Sequence, residues 1–379
     1  MFLFFLTLIQ VKSKVLWSSV IPAGFAIFSM LFGSGNIMFP IHTGKITGSQ
    51  FLFGTLGFFV TGIVIPMFGL LGVVFTKGNK RKYFKELPYP LYFLLISLLL
   101  ALLGPFYVIP RCIHVAYSGF GQFVAIPFWL FSAVFTACLF ILSYDHARVV
   151  GLIGKIISPF KIGGLLFIAM ACLYVAPGII GISPLSAWDS IRVGVEQGYQ
   201  TMDLPAGIFF SAAVYMYLAR FMDTETPEGR RQLLKNAGIA CVIGEVLIAI
   251  VYLCFIKLGA SYAPILEGQA AQMYLPVLTR HALGVSAVAV VAFTLFFSCL
   301  AVALILADLY TTYLYEDIFR KKQSRFVCMP ITFSIAYFVS LKGCTQLCNF
   351  FLPTLTYIYP IMVVFAIYKL IRIYVQTRT

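Results

Sequence analysis

LFGSGNIMFP, Leu31 to Pro40, interrupts the first long apolar block of the chain. Gly33, Ser34, Gly35 and Asn36 are four weak helix formers in a row, and Pro40 follows them. Apolar sequence on both sides of such a stretch predicts a helix that breaks at membrane depth. Unwound backbone survives there only when it is buried in protein or lines a cavity. The break offers the positive end of one half-helix to an anion and free carbonyls to a cation. An amino acid's carboxylate and a small coupling cation are the natural pair for it.

The rest of the chain has the composition such a helix needs. Of its 379 residues 61% are apolar and 11% charged, against about 45–50% and about 25% in soluble domains. So few charges cannot cover so much apolar surface, and disordered chains are charge-rich rather than apolar. Ten blocks approach or exceed the roughly 20 residues that cross a ~30 Å hydrocarbon core: 16–41, 51–75, 88–110, 123–143, 160–182, 203–221, 235–259, 284–312, 326–341 and 346–371. They are continuously apolar rather than alternating, which disfavours a β-barrel, and their backbone amides have no water partner, which demands helices. An all-α polytopic membrane protein of ten transmembrane helices is predicted. MFLFFLTLIQ at residues 1–10 is too short to span and lacks the basic region of a signal peptide. Residues 1–14 read as an interfacial leader or an upstream start, with no role attached.

The net charge of +14 is a matter of topology. With a cytoplasmic N-terminus, Lys45, Arg111, Arg192, Lys257, Arg280 and Lys342 fall outside, and the other 21 of the 27 Lys and Arg fall inside. That asymmetry is the positive-inside signal. It places both termini in the cytoplasm of a cell (inner) membrane protein and makes nucleic acid an unneeded partner. The nine cysteines form no CxxC pair and read as small core residues. No cofactor motif appears.

Two more stretches resist being ordinary helices. In TMDLPAGIFFSAAVY, Thr201–Tyr215, Pro205 and Gly207 loosen the start of the sixth span, Ser211 adds a hydroxyl, and Asp203 sits at the outer mouth. Pro205 is equally at home as ordinary capping grammar. In GPFYVIPR, Gly104–Arg111, two prolines end the third span on the outer side, and Arg111 either serves an outer gate or snorkels. Interruptions in the first and sixth spans suit a five-plus-five inverted repeat. The halves are 15–182 and 203–372, with an extracytoplasmic connection at 183–202 and a cytoplasmic tail at 373–379.

Glu245 lies well inside the seventh span, where a charge costs about 2.5–3.5 kcal/mol on insertion scales; it reads as an ion-facing or proton-carrying group, or as a packed, protonated one. Asp308 reads as an interfacial anchor or gate partner, and His114 and His146 as span-end residues. Gly33–Gly35 also resembles the serine motif of intramembrane proteases, but no histidine is placed at the depth of Ser34 to act as its base. No Walker A motif exists, so ATP is not the driving force.

FSMLFGSGNIMFP (Phe28–Pro40), GPFYVIPR (Gly104–Arg111), SPFKI (Ser158–Ile162), GYQTMD (Gly198–Asp203) and LPTLTYIYP (Leu352–Pro360) together resemble the branched-chain amino acid:cation symporter family. The resemblance runs from about Val15 to Leu370. It implies a LeuT-like inverted repeat and uptake of leucine, isoleucine and valine with Na+ or H+. Family members usually have twelve helices; ten are read here. Where the family's eighth helix carries neighbouring threonines suited to sodium, this sequence has Ala301 and Val302, with Thr294 and Ser298 nearby. That puts sodium in question and makes Glu245 or Asp203 a proton-carrying alternative.

The expected mechanism is alternating access around a midplane site. In the break at Gly33–Asn36, which includes Gly35, the backbone amides at Ser34–Asn36 take the substrate carboxylate, carbonyls near Gly207–Ser211 take the ammonium, and Phe32 and Phe210 wall the side chain. Asn36, Thr294, Ser298, Glu245 and Asp203 are the candidates for ion binding or coupling. Another neutral amino acid as substrate, or a non-transporting sensor on the same fold, are the alternatives.

Overall fold

A computed structural model describes residues 19–122, 124–144, 157–178, 180–222 and 224–376. The leader 1–14, Lys12, Lys14, Arg148, Lys155, His146 and Arg378 lie outside the described residues. The described chain is helical and without strands. The first broken helix is α1 (Ile21–Leu31) and α2 (Ser34–Thr47). Gly48, at φ +48°, turns the chain into α3 (Phe51–Phe59), which continues through a π segment into α4 (Ile65–Phe75). Then come α5 (Tyr89–Leu103), α6 (Val108–Phe120), α7 (Phe128–Leu142) and α8 (Ser158–Tyr174). The second broken helix is α9 (Ala187–Tyr199) and α10 (Asp203–Ala219), bent by 43°. The remainder is α11 (Pro227–Ser261), the short α12 (Tyr274–Leu283), α13 (Ser286–Tyr313), α14 (Arg325–Ser340) and α15 (Cys344–Gln376).

Among the described residues, four helical runs are long and apolar enough to cross a membrane, and two bent pairs bring this to six. Leu52, Leu56, Val60 and Val64 form an exposed stripe at four-residue spacing, the period of one helix face. Meanwhile Arg111, Lys161, Asp203 and Asn36 are buried. Apolar side chains outward and charges inward is the arrangement lipid selects and water forbids.

Glycine sets the closest helix contacts. The first broken helix lies along α11: a methyl on Gly44 would sit 1.8 Å from the Ile256 carbonyl oxygen, and one on Gly259 2.0 Å from that of Ile41. The second lies along α3 and α4, where Gly57 meets the Ile191 carbonyl and Gly194 that of Gly54, each at 2.0 Å. Backbones this close require small residues at the seam. Elsewhere α6 packs on α13 and α7 on α14.

Three expectations change. The third span does not end at GPFYVIPR: Leu103 closes α5, Gly104–Tyr107 turn, and α6 carries on to Phe120. Pro110 falls in the first turn of α6, where its missing N–H is no loss. Arg111 is therefore mid-span, and His114 lies within α6 rather than at a span end, with its Nε2 2.8 Å from the Ser340 carbonyl oxygen. The connection 183–202 contains α9, the first half of the broken sixth helix. The expected tail begins as the last turn of α15, which reaches Gln376.

Candidate functional site

The break in the first helix is extended at Phe32 (φ −71°, ψ 91°) and Gly33 (φ −113°, ψ −156°). Helix ends leave four carbonyls and four N–H groups without helical partners, and both sets meet here. The Gly33 N–H donates to Asn36 Oδ1 at 2.9 Å, fixing the entry of α2. The Asn36 amide nitrogen then donates to Asp203 Oδ2 at 2.7 Å and also contacts the Tyr252 hydroxyl. Tyr252 donates to the same Asp203 oxygen at 2.8 Å. One carboxylate thus ties α2, α10 and α11 together where the two broken helices meet.

The break in the second helix has a different cause. Met202 takes the left-handed conformation (φ 66°, ψ 23°), rare for a non-glycine residue. Pro205 has no N–H to give the Thr201 carbonyl four residues back. The Gln200 carbonyl is taken by Arg111 Nη1 at 2.9 Å. Arg111 also donates to Ser34 Oγ from Nε at 3.0 Å and to the Tyr107 hydroxyl at 3.2 Å, and it is 1% exposed. Its Nη2 lies 2.7 Å from where a methyl on Gly35 would stand, so Gly35 makes room for the guanidinium. A buried arginine with its donors engaged is neither snorkelling nor an outside-loop charge.

On the other side of the first break, Lys161 on α8 is fully buried. Its ammonium donates to the Ser29 carbonyl at 3.0 Å and to the Phe32 carbonyl. These belong to the last turn of α1 and the break itself. The charge count therefore loses Arg111 from the outside and Lys161 from the inside, leaving 20 against five.

Between the breaks lies a narrow cavity with room for the centre of about one water, ≈ 10 Å³. Met30, Leu31, Gly33, Ser34, Asn36, Leu103, Val108, Arg111, Thr201, Met202, Asp203, Ala206, Phe210, Val302 and Leu306 line it. Polar groups gather at the two helix ends and apolar side chains form the remaining wall.

Among the residues read from the sequence, Gly33, Ser34, Asn36, Asp203 and Phe210 are brought together here, and Gly35 abuts Arg111. Phe32 turns away to stack on Phe28, with Tyr252 and Phe255 beside it. Gly207 faces Pro66 and Leu70 of α4. Ser211 donates back to the Ile208 carbonyl at 2.6 Å. With α10 regular from Asp203, carbonyls at Gly207–Ser211 serve the helix and are not available for an ammonium; the Thr201 carbonyl is. Thr294 donates to the Val290 carbonyl at 2.7 Å. Ser298 Oγ and both carboxylate oxygens of Glu245 are buried with no hydrogen-bond partner among the described residues. Asp308 pairs with Arg325. Ser34 is held by Arg111 and by Cys112 Sγ (3.5 Å), not by a histidine, which disposes of the hydrolase reading. The sequence reading missed Arg111 as a site residue and Lys161 altogether. The signal for Lys161 was present: SPFKIGGLLF places one lysine at the start of an otherwise apolar helix.

Two broken helices that meet at a buried polar centre define a transporter of the LeuT-like class. MhsT, crystallised in complex with L-phenylalanine, aligns with a TM-score of 0.56 at 16% identity, over 88% of this chain and 80% of that one. A manganese transporter of Eremococcus coleocola aligns at 0.51 and 12% identity, over 97% and 96%. A family model described as branched-chain amino acid transport protein matches residues 17–379, and the chain belongs to that family. Among its relatives, the branched-chain amino acid permease BrnQ of Lactobacillus delbrueckii subsp. lactis is 26% identical, across 93% of this chain and 80% of that one. The branched-chain amino acid transport system 2 carrier protein of Pseudomonas aeruginosa is 24% identical, across 91% and 79%. These are transporters and not enzymes.

Proposed function

We propose that the chain is a ten-span secondary transporter, both termini cytoplasmic, that imports leucine, isoleucine and valine by alternating access coupled to a cation. The observation that carries this is the pairing of two helix breaks across one cavity lined by polar groups of both breaks and by apolar side chains. The free N–H groups opening α2 at Ser34–Asn36 and the Arg111 guanidinium suit a carboxylate. The Thr201 carbonyl and Asp203 suit an ammonium. Leu103, Val108, Phe210, Val302 and Leu306 suit a branched aliphatic side chain.

Burying a leucine-sized side chain is worth about 1.5–3 kcal/mol. One methylene discriminates by only about 1–3 kcal/mol, so the three branched-chain amino acids share the site. A cavity of about one water cannot admit leucine, which fits a closed state that must open to load.

The test is uptake and exchange of labelled leucine by the purified chain in proteoliposomes, with unlabelled isoleucine, valine, methionine, phenylalanine and alanine as competitors. Isoleucine and valine are expected to compete within about tenfold of leucine. Stronger competition by another neutral amino acid reassigns the substrate. Binding without either uptake or exchange makes the chain a sensor.

A further inference from the structure

Among the described residues, two buried cations are not used by the site just described: Lys369, which pairs with Glu86, and Lys161, which lies against the first break. Lys161 is 0% exposed. Its hydrogen bonds run to two backbone carbonyls, Ser29 and Phe32, on either side of the end of α1, and its ammonium lies 5.7 Å from the centre of the Phe32 ring. Among the described residues no carboxylate bonds it. A charge held in a protein core by carbonyl dipoles alone is costly, and residues of this kind within a membrane are functional by default.

Its place is more telling than its burial. Carbonyls at a break of this sort form the half of the site that attracts a small cation, and here a side chain of the protein itself already holds them. On the neighbouring helix α13, Thr294 bonds its own helix, Ser298 has no partner among the described residues, and apolar Ala301 and Val302 follow. Gly164, one turn beyond Lys161, brings α8 against Thr294: a methyl there would lie 2.5 Å from its Oγ1. The lysine therefore ties α8 to the end of α1, on a helix that also packs against α13. The titratable groups acting on it from packed elements are Cys299 on α13, Cys112 on α6 and Asp203 on α10. Glu245 on α11, which also packs on α8, acts on Asp203 instead.

We propose that Lys161 is the coupling cation of this transporter, built into the chain: transport is driven by protons and needs no sodium. Protonated, Nζ clamps the Ser29 and Phe32 carbonyls and holds α1 in the closed arrangement. When Nζ gives one proton toward the cytoplasmic side, the neutral amine, a weaker donor without charge, loosens its hold on the carbonyls and frees α1 to move and open the inner side. Reprotonation from the outer side resets the clamp, so one proton enters per cycle. Lysine can make this exchange and arginine cannot. The inference rests on the transport reading, and its experiment separates the two.

The full chain is reconstituted and labelled leucine accumulation is followed in sodium-free buffer with an inward proton gradient, then with an inward sodium gradient at equal pH. Exchange of internal for external leucine is measured in parallel. The expected result is accumulation with protons alone, rising as external pH falls, and less than a twofold gain from sodium. One charge crossing 100 mV supports about a 50-fold accumulation. Lys161→Arg keeps the charge but is expected to lose at least tenfold of that accumulation and its pH dependence. Sodium-dependent accumulation in the parent chain overturns the inference without any variant, as does a monodisperse Lys161→Arg protein with the parent's pH profile. Exchange without proton-driven accumulation defeats the coupling alone; no uptake and no exchange defeats the transport reading.

Discussion

The two broken helices are built alike at their seams and differently at their breaks. Each lies along an unbroken neighbour at glycines that allow backbone contact, the first along α11 and the second along α3 and α4. Each break has a buried cation on its free carbonyls, Lys161 at the first and Arg111 at the second. The lysine holds carbonyls only. Arg111 also holds Ser34 across the cavity and Tyr107 in the turn before its own helix, which makes it a strut between the breaks. One cation can let go by losing a proton; the other cannot. The likeness carries the fold, and the difference divides the labour.

The seams bear the largest expected effect. Gly44→Leu and Gly57→Leu each push a side chain into a backbone carbonyl that has nowhere to move. Overpacking costs typically about 1–3 kcal/mol and more where the neighbour is rigid. Both variants are expected to lose monodisperse protein on gel filtration, while Gly163→Leu, with nothing within 4 Å of an added methyl, keeps it. If one seam tolerates leucine and the other does not, the two halves are unlike in packing as well.

Next comes the strut. Arg111→Met leaves the Gln200 carbonyl without its side-chain donor and Ser34 with only the Cys112 thiol, each lost bond costing about 1–3 kcal/mol, and removes a charge from the proposed carboxylate site. Leucine uptake efficiency is expected to fall by about 100-fold or more. Asp203→Asn is milder, because an amide oxygen still accepts from Asn36 and Tyr252; about tenfold, seen mostly in KM, is expected. An Asp203 effect as large as that of Arg111 would mean that the carboxylate, rather than the guanidinium, joins the breaks.

These effects separate what the sequence could disclose from what it could not. The first break was legible because glycine, serine and asparagine announce it in consecutive positions. The second was placed a few residues late, at Pro205 and Gly207, because its turning residue is Met202, a type that gives no local signal. It adopts a left-handed conformation that its surroundings impose. Arg111 was seen but set at the membrane surface, since a pair of prolines reads as a helix end until the structure shows the second one opening a new helix. Lys161 joined the loop charges because periodicity tells which residues share a face but not which helix that face meets. Local chemistry writes breaks of the glycine kind; long-range packing decides the rest.

The smallest effect tests that last point. The first break was read from its glycines, yet Gly33 has the extended backbone of any residue, and the atoms nearest a methyl there are all of the Val302 side chain, the closest at 3.2 Å. Gly35 differs: a methyl would stand 2.7 Å from Arg111 Nη2 and 3.1 Å from the Thr201 Cα. Gly33→Ala is therefore expected to cost within about 1 kcal/mol, or less than about fivefold in leucine uptake. Gly35→Ala must displace the strut or the second break and should exceed it. If Gly33→Ala proves the worse, the first break depends on glycine's freedom rather than on the Asn36 cap and the Lys161 clamp. The two breaks would then differ by the mobility of their backbones instead of by the cations that hold them.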